Sequence, residues 1–268
     1  VEEALKDSFA QDVVLLNFIG IRPVIIHGGG PKISATMKKM GKEPAFIQGQ
    51  RVTDGETMEI VEMVLGGLIN KEIVALINSH GGKAVGLSGK DGSLIQAKKK
   101  IIRKLSETGQ EETIDLGLVG EVECVSPEIL HSLQRDGFIP VISPIGGGVM
   151  GEAFNINADY VASAVATALG AEKLILLTDV PGIKDKEGTV ISSVPMEGIT
   201  GLMEDGTITG GMLPKVQACR QALEGGVSKT HIIDGRVSHS LLLEIFTKEG
   251  IGTEIIGKPA PAEKRCPL

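Results

Sequence analysis

Residues 24–34 read VIIHGGGPKIS: an apolar run, three consecutive glycines, then a proline at the start of a stretch with helical pattern. The segment decides the fold, because a strand that ends in a turn and passes straight into a helix is the building unit of an α/β protein. Glycine loses more backbone freedom on folding than any other residue, so three in a row need a reason. Two are open at this point. The turn is simply tight, or its unblocked N–H groups at a helix N-terminus surround an anion.

Working outward, further short apolar runs stand at 83–87 (KAVGL), 138–142 (FIPVI), 173–178 (KLILLT) and 230–233 (THII), with 22–27 (RPVIIH) feeding the glycine loop. Their near-continuous apolar character predicts parallel strands covered on both faces. Between them lie amphipathic stretches, among them EEALKDSFAQDVVLLNF (2–18) and a long segment from Asp54 to about His80. The latter carries Thr53 and Glu56 at capping-box spacing and closes at Gly81-Gly82. Ser126-Pro127-Glu128 predicts another helix, with Pro at its first position. Residues 43–53 and about 92–125 break the alternation and read as hairpin material, a lid or a mixed sheet region, with a polar loop ETGQEETID (107–115). No repeat or linker stands out apart from the Pro- and Lys-containing tail after Gly257.

Composition removes several classes. A net charge of −7, 3% aromatic residues and no Trp disfavour a nucleic-acid binder or an anionic-membrane binder. No run approaches ~18 uninterrupted apolar residues, which disfavours a membrane span. The acidic start is unlike a secretory signal. Cys124, Cys219 and Cys266 are far apart and odd in number, and no HExxH pair occurs, so a reducing, cytoplasmic setting without structural metal is expected.

Chemistry is expected at the carboxyl ends of the strands. Neither glycine loop is a Walker A motif: GLSGKDG at 86–92 places Asp91 where Ser or Thr would hold magnesium. One literal GxGxxG, Gly146 to Gly151, raises a dinucleotide-binding dehydrogenase as a rival. It misfits, because EAFNIN intervenes before a helical pattern begins near Ala158 and Asp179 lies too far along for the ribose. In FNINADYVA (154–162), Asn157 suits a helix cap and Asp159 the first turn of that helix, while Asn155 is a spare amide beside a glycine loop. Lys215, in GGMLPK, falls near a helix start, where a cation opposes the helix dipole unless it is solvated or used. His27 reads as a packed or hydrogen-bonded strand-end histidine.

HGGGPKI, GQRVTD, GLINKEIVALIN, GLSGKDG, FNINAD, LLTDVPGI and ITGGMLPKV occur in this order. Together they resemble the N-acetylglutamate kinases of the amino acid kinase family, from about residue 5 to 257. The resemblance implies a three-layer αβα sandwich around a mainly parallel eight-stranded sheet. It implies one amino acid kinase domain over 1–268, with a substrate lobe at about 1–155 and an ATP lobe at about 156–257. The implied activity is ATP-dependent phosphorylation of the side-chain carboxylate of N-acetyl-L-glutamate in arginine biosynthesis, with Mg2+ carried mainly by the phosphates. Gly28, Gly29 and Gly30 would offer N–H groups to phosphoryl group and substrate; Arg51, Asn155 and Asn157 would border the acceptor. Lys215 would stabilise the transition state from the ATP side, and Asp159 would orient that lysine. Asp179, Val180, Pro181, Gly182, Ile183 and Lys184, with Thr207, Ile208 and Thr209, would border ATP. HSLLLEIFTKEGIGTEI resembles the arginine-inhibited members, which implies Glu244 and the backbone near Gly250 as the arginine site. A homodimer is implied, and in arginine-sensitive members a hexamer built through an N-terminal helix. The family also opens with a strand ending in Lys and a Gly-Gly turn; this sequence begins in the helix after it, so that strand is expected upstream. A sibling carbamate, aspartate or uridylate kinase and a non-catalytic arginine-sensing paralogue are the alternatives.

Overall fold

The computed structural model describes residues 3–105 and 111–257. In chain order the elements are α1 (Glu3–Phe18), β1 (Ile25–Ile26), α2 (Gly30–Lys39), β2 (Phe46–Ile47), β3 (Gln50–Arg51) and α3 (Gly55–Glu62). A π-helical segment (Met63–Ile69) leads without a break into α4 (Asn70–Ser79). Next come β4 (Ala84–Ser88), β5 (Ile95–Leu105), β6 (Glu111–Val125), α5 (Glu128–Arg135), β7 (Ile139–Ser143), β8 (Ile145–Gly147), β9 (Ala153–Asn155) and α6 (Ala158–Ala168). The chain closes through β10 (Lys173–Thr178), β11 (Ser193–Pro195), α7 (Ile199–Glu204), α8 (Met212–Glu224), β12 (Lys229–Asp234), α9 (Ser240–Phe246) and β13 (Thr253–Ile256). The result is the expected α/β alternation with parallel sheet elements.

Two units divide the chain: the glycine-loop unit, 24–74 and 84–161, and a second unit made of the described residues among 1–23, 75–83 and 162–268. In the glycine-loop unit, β1, β7 and β4 form a parallel sheet with β7 in the middle. Every residue of β7 is buried, as the apolar FIPVI run predicts for a strand covered on both faces. β1 is shorter than the run at 22–27, although His27 N still donates to Ile142 O of β7 at 3.2 Å. Ile33 and Met37 of α2 pack with Met58, Ile60 and Val61 of α3, with Val64 and Leu65, and with Ile145. That core anchors the helix that the glycine loop starts.

The predicted antiparallel material is there too. β2 and β3 form a hairpin, and β5, β6, β9 and β8 close into a small barrel. Of the predicted polar loop, residues 111–115 belong to β6, while 107–110 lie outside the described residues. The tail after Gly257 and Cys266 lie outside them as well.

Two local readings are corrected. Thr53 does not cap α3: its backbone is held on both sides by β6, Thr53 N donating to Leu116 O at 2.8 Å and Leu118 N donating to Thr53 O at 2.6 Å. Asp54 caps instead, its carboxylate accepting from Thr57 N at 2.8 Å. Pro127 sits one residue earlier than predicted, at the N-cap of α5. The GxGxxG stretch, read above as a misfit to the dinucleotide fingerprint, is the hairpin joining β8 to β9, with Gly148 N donating to Glu152 O, and it opens no helix.

In the second unit, β10, β12, β13 and β11 form a sheet in which β10 and β12 run parallel. Leu174, Leu176, Ile232, Ile233 and Ile255 are buried in its strands, and Val216, Cys219, Ala222 and Leu223 of α8 are buried with them.

Candidate active site

The glycine loop begins where β1 ends. Gly29 is the N-cap of α2, its carbonyl accepting from Ile33 N at 2.9 Å. Pro31, in the first turn of the helix, has no N–H to lose there. Within the loop unit, the N–H groups of Gly28, Gly29 and Gly30 donate to no protein acceptor among the described residues. Gly29 is also sterically required: a Cβ there would lie 2.5 Å from both Ile69 Cδ1 and Leu65 Cδ2. The turn is therefore tight and rich in N–H groups at once.

Arg51 is only 7% exposed and is docked on the same turn. Its Nη2 donates to Gly30 O at 2.9 Å and to Ser34 Oγ at 2.8 Å, its Nη1 reaches Met37 Sδ at 3.3 Å, and Phe46 covers the guanidinium face at 4.7 Å. No carboxylate pairs with it among the described residues. Burial lowers its pKa from the ordinary value without discharging it, so the site holds a nearly dry positive charge in want of an anion.

Asn155 is not spare. Its Nδ2 donates to Thr53 Oγ1 at 3.3 Å, and Thr53 Oγ1 in turn donates to Arg51 O at 3.0 Å. Thr53, fully buried, thus ties Arg51 to Asn155. The sequence offered GQRVTD as a motif but no sign of this link, which joins residues 102 positions apart. Asn157 caps α6, accepting from Asp159 N at 2.8 Å, as its position predicted. Asp159, half-buried, lies in the first turn of α6, before Tyr160, over whose ring Lys100 Nζ lies at 5.5 Å.

The second unit carries the remaining predicted residues. Asp179 to Lys184 turn away from the end of β10; Val180 N donates to Thr178 Oγ1 at 2.9 Å and Ile183 N to Thr253 Oγ1 at 2.8 Å. At Gly182 a Cβ would lie 2.7 Å from that hydroxyl. Thr207, Ile208 and Thr209 approach α8, with Ile208 buried and Thr209 exposed. Thr207 also lines an open cavity of about 310 Å³ with Asp185, Lys186, Glu187, Leu202 and Asp205. Lys215 is half-buried in the first turn of α8.

Glu244, in α9, is 7% exposed and accepts from His231 Nδ1 at 2.6 Å and from Ile251 N at 2.7 Å. Burial pushes its carboxyl up, but the bonds from His231 and the backbone outweigh that and leave it below its ordinary value. Gly250 adopts φ +63°, and a Cβ there would lie 2.7 Å from Glu244 Oε2, so these two predicted residues do meet. His231 was missed by sequence reasoning, as nothing in THII marks it out from a strand residue.

The model of the amino acid kinase family matches residues 2–234. The chain belongs to the amino acid kinase family. It is 58% identical over 256 residues to the acetylglutamate kinase of Geotalea uraniireducens, covering 96% of this chain and 88% of that protein. It is 59% identical over 254 residues to that of Geotalea daltonii, covering 95% and 87%. Among solved structures, N-acetylglutamate synthase from Neisseria gonorrhoeae, complexed with coenzyme A and N-acetyl-glutamate, superposes with a TM-score of 0.80 at 27% identity. That match covers 97% of this chain and 57% of the synthase. The amino acid kinase fold expected from the ordered motifs, α/β with parallel sheet elements, is thus the fold of this chain.

Proposed function

We propose that the protein transfers the γ-phosphoryl group of ATP to the side-chain carboxylate of N-acetyl-L-glutamate, the acetylglutamate kinase step of arginine biosynthesis. The observation that carries this reading is the likeness, along nearly the whole chain, to acetylglutamate kinases. The chemistry of the loop unit agrees with it. Three N–H groups and a buried guanidinium that meet no acceptor and no carboxylate, respectively, among the described residues suit a substrate that is itself anionic.

The acceptor carboxylate is ionised at neutral pH, so no general base is required. Its oxygen attacks the γ-phosphorus, the bond to the β-phosphate oxygen breaks, and an acyl phosphate and ADP result with no proton moved. Catalysis then consists of aligning two anions and neutralising charge on the transferring group. In this reading Gly28, Gly29 and Gly30 donate to phosphoryl oxygens and acceptor. Arg51 takes the acceptor's α-carboxylate, with Asn155 and Asn157 beside it. Asp179 to Lys184 and Thr207 to Thr209 border ATP, and Lys215 and Asp159 are the catalytic residues. Mg2+ enters with the nucleotide, whose phosphates supply hard oxygen ligands.

A panel of carboxylate, carbamate and phosphate acceptors tests the reading. Turnover is expected with N-acetylglutamate above every other acceptor; preference for carbamate, aspartate or uridylate would overturn it. A regulatory reading adds to it, supported by the contact of Glu244 with Gly250: a charged, buried carboxylate beside an open glycine turn suits a guanidinium. Arginine is expected to inhibit turnover and to bind by calorimetry, in a homodimer or a hexamer; an absence of binding would remove the regulation and leave the kinase.

A further inference from the structure

His27 immediately precedes the glycine loop and takes no part in the chemistry above. It is 8% exposed, and both of its ring nitrogens are engaged. Nε2 lies 3.3 Å from Asn70 Nδ2, and Nδ1 lies 3.1 Å from Gly28 O. Asn70, 1% exposed, is the first residue of α4, immediately after the π-helical segment.

The partners of Asn70 settle which hydrogen sits where. Its Nδ2 is 2.9 Å from Val141 O and 3.3 Å from Leu87 O, and carbonyl oxygens only accept. Its Oδ1 accepts from Lys71 Nζ at 3.0 Å. Nδ2 is therefore the NH2 group, and its two hydrogens are shared among Val141 O, Leu87 O and His27 Nε2. A donor facing Nε2 requires a lone pair there, so the imidazole proton resides on Nδ1 and is donated to Gly28 O. Burial lowers the His27 pKa from its ordinary value, the Gly28 carbonyl opposing and the nearby Lys71 charge adding to the fall, which keeps the ring neutral at pH 7.

In a trans peptide the carbonyl of one residue and the N–H of the next point in opposite directions, and the Gly28–Gly29 bond is trans, like every peptide bond among the described residues. Tying Gly28 O to the His27 ring thus turns the Gly29 N–H the other way, away from the ring. The Cβ direction of Gly29 is closed by Leu65 and Ile69, each 2.5 Å from where a Cβ would stand, so the turn keeps a glycine there. We infer that His27 is a positioning residue: held by Asn70 as the Nδ1–H tautomer, it fixes the Gly28–Gly29 peptide so that the Gly29 N–H is already aimed at the transferring phosphoryl group. The inference rests on the reading of the loop as the phosphoryl site. A donor set in place before the reaction adds no reorganisation cost in the transition state.

Two variants separate this from a packing role. An asparagine amide stands near the position of Nδ1, and a glutamine amide near that of Nε2. His27→Asn keeps a donor for Gly28 O, whereas His27→Gln keeps only a partner for Asn70. Expected is kcat within about threefold of the parent for His27→Asn and a loss of roughly tenfold or more for His27→Gln, with KM for acetylglutamate little changed, as for removal of one aimed donor. Thermal melts of both variants identify any loss that is only unfolding. Equal losses at matched stability, or the reverse order, would overturn the inference. The nitrogen-15 spectrum of the imidazole is read independently of turnover, and a neutral Nδ1–H ring is expected; an Nε2–H tautomer or an imidazolium at pH 7 would overturn the geometry. If the unaltered protein fails to phosphorylate acetylglutamate, the functional reading falls, and that spectrum alone decides the geometry.

Discussion

Gly117→Ala tests whether the buried link through Thr53 is as rigid as its geometry implies. Gly117 has φ +77°, and a Cβ there would lie 2.2 Å from Thr53 O, which accepts from Leu118 N, in a residue whose own N–H donates to Leu116 O of the same strand. Alanine in the left-handed region costs about 1–2 kcal/mol. Moving Thr53 away would strain or break those two bonds, at about 1 kcal/mol each. Restriction of the unfolded chain returns about 0.4–1 kcal/mol. Gly137 supplies the control, with φ +79° and nothing within 4 Å of a Cβ, so Gly137→Ala meets the backbone term alone. At about 2–4 °C per kcal/mol for a chain near this size, Gly117→Ala should lower Tm by roughly 4–8 °C more than Gly137→Ala. Circular dichroism melts of both variants measure the difference. Because Thr53 ties Arg51 to Asn155, only Gly117→Ala should also raise KM for acetylglutamate. Equal Tm decrements would refute the reasoning, since the contact with Thr53 would then cost nothing.

Arg51→Lys should raise KM for acetylglutamate about tenfold or more in steady-state kinetics, because one ammonium cannot replace a fork already bonded to Gly30 O and Ser34 Oγ. Lys215→Ala should lower kcat by about a hundredfold or more and leave substrate binding nearly unchanged, as for a charge acting mainly in the transition state; a change confined to KM would contradict the role. Glu244→Gln should lower Tm at neutral pH. The folded carboxyl lies below its ordinary value of 4.5, so its contribution is full above that value and fades as pH falls through the folded one. The Tm gap between parent and variant should therefore close on acidification, and a gap that widened would refute the assignment.

Much of the frame was legible along the chain because it depends on local patterns. FIPVI became the fully buried β7, and KLILLT became β10 with the predicted bounds. Asn157 was legible as a cap because the groups it serves are two and three residues away. The GxGxxG stretch was legible as a misfit because no helical pattern follows it before Ala158, and the pairing of β8 with β9 shows what its glycines do instead, which is turn a hairpin.

By itself, the sequence determined the strand–loop–helix succession, the position of the glycine turn, and, through the order of its motifs, the family. Only the tertiary structure decided that Arg51 is buried against Gly30 O and Ser34, that Thr53 serves Asn155, that His231 meets Glu244, and that Asn70 sets the tautomer of His27. The physical reason is the same in each case. Strand and helix follow from periodicities of two to four residues, whereas a buried polar group is defined by a partner that lies 13 to 102 residues away in these pairs.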